Sequence, residues 1–160
     1  MQDSFRRSTI TLPLPAPGTF TPGTLPVYTP GTPPTYVPGT LPTQSPGLAA
    51  GVGQVTYTSP RPQRIVGAQL CLSDTGTGAG ATAVNINING VAVNGAGSLS
   101  IAGAAAGKSV GTAITAGVNN YPGGARLNKG DVVTVDVASV PATTVPKAGF
   151  VVLDIVEVDV

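Results

Sequence analysis

An antiparallel β-sandwich of jelly-roll type, preceded by an extended proline- and glycine-rich arm, is the all-β fold that this sequence predicts. Three observations carry that expectation. Seven prolines (Pro22, Pro26, Pro30, Pro34, Pro38, Pro42 and Pro46) recur at every fourth position. Beyond residue 60 the punctuation passes from proline to glycine and asparagine, and apolar residues alternate with polar ones. No segment repeats its apolar residues at helical spacing. The expected organisation is an arm over residues 1–60 and a sandwich over 61–160.

In the arm the prolines organise octads, TPGTLPVY, TPGTPPTY, VPGTLPTQ and a decaying SPGLAAGV. Proline fixes φ and lacks a backbone donor, so this spacing excludes helix and interior strand. The residue before each proline is driven to extended values, and Pro-Gly suits the centre of a type II turn. The expectation is polyproline-like chain broken by turns, whose stretch from Pro13 to Gly47 would reach roughly 110 Å at about 3.1 Å per residue. No charged residue occurs from Ser8 to Pro60. Leu12, Leu14, Phe20, Leu25, Val27, Tyr28, Tyr36, Val37 and Leu41 are nevertheless spread along it. Disordered segments are rich in charge and poor in apolar side chains. Two readings therefore stand side by side: a flexible spacer, and an arm that becomes ordered in a groove of another subunit. On the second reading those residues are anchors, and Phe5, Arg6 and Arg7 form a docking tip. Arg61 and Arg64 flank the hinge to the second domain, as an ion-pair anchor against a partner or as solvated side chains.

The strands of the second domain follow in order. Ile65 to Leu72 is the first. Thr82 to Asn89 alternates Val84, Ile86 and Ile88 against asparagines, and Asn89-Gly90 turns the chain into Val91–Val93. Ser98 to Ile101 and Ser109 to Thr115 are short strands. Asp131 to Val140 places Val133, Val135 and Val137 on one face. In the last strand Val151, Leu153 and Ile155 share a face, and then Val156, Val158 and Val160 align instead. A one-residue slip reverses every side chain, so a bulge or bend is expected near Ile155–Val156. Seven or eight short strands in about 100 residues point to a sandwich.

Composition bounds the function. Charged residues make up 9% of the chain and aromatic residues 4%, whereas a freely soluble surface carries roughly 25–35% charge. Much of the surface is expected to be hidden in an assembly, with trimerisation burying the charge-poor faces. The net charge is +1 and the basic residues are scattered, so no nucleic-acid partner is expected. No apolar run approaches the ~20 residues of a membrane span, and no membrane partner is expected. The prolines after Arg6-Arg7 leave no uninterrupted apolar region of an export signal. The expected site is therefore the cytoplasm or a particle assembled there. Cys71 is the only cysteine, which leaves no intrachain disulfide; it reads as a small buried hydrophobe in its strand.

No catalytic, cofactor or metal residue emerges. AGAAAGKS (102–109) ends like a phosphate-binding loop, but its first glycine, Gly103, stands one place late and no helix follows. Gly76, Gly78 and Gly80 lack the spacing of a dinucleotide fingerprint. With no histidine in the chain, a Ser-His-Asp triad and the commonest metal ligand are absent. Glu157 and Asp159 project from one strand face and, with Asp154 or Asp136, form a carboxylate set of the kind that holds calcium; solvated strand carboxylates are the expected outcome.

The segments IVGAQLCLSDTGTGAGATAVNINING, LNKGDVVTVDV and PKAGFVVLDI resemble β-sandwich domains of tailed-bacteriophage virion proteins, capsid decoration proteins and head fibres among them. The resemblance covers about 90 residues and rests on turns such as Gly130-Asp131 and the Lys147-Ala148-Gly149 step; the octads are not part of it. It implies a homotrimeric, non-enzymatic structural component of a virion, binding the major capsid protein or another virion protein. Alternatives are a tail or head fibre or adaptor, and a receptor- or carbohydrate-binding module.

Overall fold

Period-two alternation of β-branched residues with polar ones builds nearly everything seen in the computed structural model, which describes residues 6–17, 19–29, 35–41, 43–45, 47–93, 99–113 and 124–157. The first part of the chain contains β1 (Arg7–Leu14), β2 (Thr19–Thr21), β3 (Val27–Thr29), β4 (Thr35–Val37), β5 (Thr43–Ser45) and β6 (Gly51–Thr58). Then come β7 (Gln63–Leu72), β8 (Ala81–Ile88), β9 (Val91–Ala92) and β10 (Leu99–Ala102). The chain closes with β11 (Ser109–Ala113), β12 (Ala125–Leu127), β13 (Val132–Ser139) and β14 (Gly149–Glu157).

Two five-stranded antiparallel sheets form the sandwich. The first runs β1-β14-β7-β11, with β12 on the same edge of β7 as β11. The second runs β10-β8-β13-β6, with β9 beside β10 on β8. Taking β9 with β10 and β11 with β12 as single interrupted strands leaves eight, ordered 1-8-3-6 and 2-7-4-5. That order is a jelly roll. Its largest fully buried side chains are all Ile, Leu or Val, drawn from both sheets: Ile65, Leu70, Leu153 and Ile155 facing Val84, Ile86, Val133 and Val135.

Three expectations change here. The sandwich does not begin at residue 61, because β1 and β6 are edge strands of its first and second sheets. In β1 the odd positions Thr9, Thr11 and Pro13 face out while Leu12 and Leu14 join the core. Pro13 is tolerated because an edge strand has one side free of ladder bonds. In β6 the register to β13 skips between Val135 and Val137, where Gly53 takes φ 60° and donates its N–H to Asp136. That bulge blunts an otherwise open edge. Second, the register break in the β7–β14 pair falls opposite the Asp154–Ile155 step, and the extra residue is Val66 on β7. The phase therefore changes on β7, from Leu72, Leu70 and Ala68 inward to Ile65 and Gln63 inward. Val158 and Val160 lie outside the described residues. Third, the arm is not a single extended run: β2 pairs with β5 and β3 with β4.

Turn chemistry at the domain's centre follows the sequence. Asn89 and Gly90 have φ of 50° and 83°, the paired positive values of a two-residue hairpin turn. The strand at Ala125–Leu127 was not anticipated; its three residues are too few to show alternation.

A candidate interaction surface

The proline segment folds back on itself as a two-stranded ribbon. Thr19, Phe20 and Thr21 face Ser45, Gln44 and Thr43; Val27, Tyr28 and Thr29 face Val37, Tyr36 and Thr35. Both pairs keep one register, centred on sequence position 32. Between them Thr24 and Thr40 bond reciprocally, each backbone N–H to the other's Oγ1 at 3.0 and 3.1 Å, and the two hydroxyls lie 3.1 Å apart. Gly39 is pressed against the Thr24 carbonyl and Pro26 N, leaving no room for a Cβ.

The sequence carries this register. Outward from Thr32 it reads nearly the same in both directions: Pro30 and Pro34, Thr29 and Thr35, Tyr28 and Tyr36, Val27 and Val37, Pro26 and Pro38, Thr24 and Thr40. A proline on a bonded rung would leave the carbonyl facing it without a donor. Equidistant prolines fall opposite one another on the alternate, non-bonded rungs, and the ladder bonds fall to the rungs between, Val27–Val37 and Thr29–Thr35. This mirror pattern is the signal that reading the octads as direct repeats passes over.

The ribbon is rooted at both ends. At one, Leu14 is buried and Ala16 packs against the core. At the other, Leu48 is buried and its N–H donates to the Pro146 carbonyl at 2.8 Å. Its own side chains are bare. Leu25 and Leu41 are 87% and 86% exposed, Tyr28 and Tyr36 63% each, Val27 and Val37 57% and 56%. Large apolar side chains this exposed, grouped on one short element, mark a surface for a partner.

The sequence-derived anchors separate accordingly. Leu25, Tyr28, Tyr36 and Leu41 come together on the ribbon. Phe20 lies in β2, opposite Gln44. Phe5 lies outside the described residues. Arg6 is exposed and its carbonyl accepts the Glu157 N–H at 3.1 Å, so it extends the sandwich. Leu12 and Leu14, expected as partner contacts, belong to the core instead, at 6% and 5% exposure; the β1 alternation turns them inward. Val27 and Val37 join the surface as the second face of β3–β4.

A second concavity lies on the outer face of the first sheet, an open groove of about 710 Å³. One row of its floor runs Thr9, Asp154, Gly67, Ala113 across four strands. A Cβ on Gly67 would stand 2.8 Å from an Asp154 carboxylate oxygen, so that carboxylate folds over the glycine. Arg7 and Gln69 also line the groove, and among the described residues no aromatic side chain does. Cys71 sits on this outer face opposite Phe150 and Ser109, half-buried and not in the core.

The remaining charges serve structure. Arg61 forms an ion pair with Glu157 across the end of β14, a partner within the chain that neither expectation for the hinge included. Asp136 binds Gly53 N and, at 2.8 Å, Asn87 Nδ2. Among the described residues no three His, Cys, Asp or Glu lie close enough to hold a metal ion. Burial raises the Asp74 pKa, but the Lys147 N–H, the Ser73 hydroxyl, the Gly76 N–H and the Lys147 charge outweigh it and leave the carboxyl below its ordinary value. Asp131 is likewise lowered, chiefly by the Asn128 N–H and the Asn89 side-chain amide. In the 102–109 loop, Lys108 donates to the Ser73 carbonyl at 3.0 Å.

No protein-family model matches the sequence, and no curated protein matches it. Among solved structures the chain is similar to the native structure of a family 35 carbohydrate-binding module from Clostridium thermocellum. The two share 15% identity over 94% of this chain and 99% of the other, with a TM-score of 0.39. That degree of likeness assigns neither a family nor a ligand to this chain.

Proposed function

We propose that this chain is a non-enzymatic virion protein of the capsid-decoration kind, docked on coat subunits through its proline ribbon, with the jelly roll projecting outward as a homotrimer. One observation carries the docking role: an uncharged ribbon, rooted in both sheets, exposes six large apolar side chains. The low charge of the whole chain supports burial in an assembly. The virion setting is supported by the resemblance of segments within residues 65–155 to tailed-phage sandwich domains.

The test is co-sedimentation of the full chain with tailed-phage coat-protein shells purified without it. The wild type should sediment with the shells, and Leu25→Ser/Leu41→Ser should weaken binding at least tenfold. Undiminished binding of the variant would sink the ribbon's role. A second reading, a carbohydrate- or receptor-binding module, is favoured by the polar side chains of Arg7, Gln69 and Asp154 in the groove. Against it stands the lack of an aromatic side chain among the groove's described residues. Glycan affinity abolished by Asp154→Ala, with no affinity for shells, would establish that reading in place of the first.

A further inference from the structure

We infer that the ribbon is an insertion element, covered on both faces at once by the two walls of an uncharged, apolar protein cleft. The inference rests on the docking role proposed above and specifies its partner's shape and chemistry.

The first ground is the distribution of side chains. Successive strand residues point to opposite faces, so Tyr28 and Tyr36 occupy one face of β3–β4 while Val27 and Val37 occupy the other. All four are more than half exposed, and to nearly the same degree. A ribbon laid on a surface needs one apolar face and gains from a polar one toward water. This ribbon has no polar face at that level.

The second ground is charge. No charged residue occurs from Ser8 to Pro60, so an ionised side chain in the wall of the cleft would be desolvated without a counter-charge, at a cost of several kcal/mol. The walls must be as uncharged as the ribbon.

The third ground is area. At about 3.3 Å per residue and about 4.8 Å between strands, the Thr19–Thr29 length of ribbon outlines a face of only about 300–350 Å². A standard stable interface buries about 800 Å² on each partner. One face falls well short, and two faces with the rims between them approach it. A single second copy does not meet the need, because stacked on one face it leaves the other bare; copies on both faces form a ring only where the rotation closes and a filament where it does not.

Hydroxyl-radical footprinting of the full chain, free and bound to purified tailed-phage coat-protein shells, tests this. On binding, Tyr28 and Tyr36 on one face and Val27 and Val37 on the other should all be oxidised at least fivefold more slowly. Tyr28→Thr/Tyr36→Thr and Val27→Thr/Val37→Thr, which keep strand-forming residues, should each weaken binding at least tenfold. Protection or loss confined to one face overturns insertion and leaves docking intact. A bound chain with an unprotected ribbon overturns the docking role itself. Protection that appears in the free chain as its concentration rises gives the ribbon to a second copy and overturns the inference.

Discussion

Asp131 accepts the Asn89 side-chain amide at 3.0 Å and the Asn128 N–H at 2.7 Å, while Asn89 Oδ1 accepts the Val132 N–H. One carboxylate thus ties the turn after β8 to the turn before β13. Because these bonds favour the ionised form, the folded-state pKa lies below the unfolded value. The stabilisation is therefore fully present above about pH 4 and is lost as pH falls through the lower folded pKa. The stability gap between wild type and Asp131→Ala, measured by urea unfolding, should be constant from pH 7 to about pH 5 and shrink below about pH 4. A gap unchanged at pH 3 would mean the carboxylate's charge contributes nothing. Asp74 belongs to the same class, with its bonds to Gly76, Lys147 and Ser73.

At the scale of elements, the ribbon's tightest point is Gly39, where the opposing backbone occupies the place of a Cβ. Gly39→Ala should pry the Thr24–Thr40 rung apart and leave the sandwich's unfolding midpoint unchanged. Accelerated proteolysis within residues 19–45, with unaltered thermal unfolding, is the expected pair of results; wild-type resistance would mean the strands are not held at that rung. The sandwich strands β7, β8, β13 and β14 were legible because each holds a run of two-residue period whose inward positions are mostly Val, Ile or Leu. β1 has the same alternation, but Pro13, Pro15 and Pro17 read as continuation of the ladder. The ribbon was half legible. Direct octads and a mirror about Thr32 describe the same residues, and only the mirror implies a chain that folds back. The bulge expected near Ile155–Val156 lies on the partner strand, where Val66 is the extra residue; the valines from Val156 onward imitate in the sequence a phase change that β7 makes.

For the whole molecule, the placement of β1 changes what truncation or substitution near the N-terminus does. Leu14 lies at 5% exposure in the common core, so Leu14→Ala should destabilise the entire domain by about 2–5 kcal/mol in denaturant unfolding. An independent arm would show no such loss. The groove on the first sheet was not legible at all. Its floor joins Thr9, Asp154, Gly67 and Ala113 from four strands, and only the jelly-roll order brings those distant positions into one row.

The ribbon leaves the sandwich from the end of β1 and returns into β6, edge strands of opposite sheets. β1 is held by an eight-residue ladder to β14, from Arg7 opposite Val156 to Leu14 opposite Gly149, and β6 by its ladder to β13. A pull on the ribbon along those strands loads each ladder in shear, with its hydrogen bonds strained together instead of one after another. Tension enters both sheets through separate strands, so the tether and the fold it carries fail as one mechanical unit.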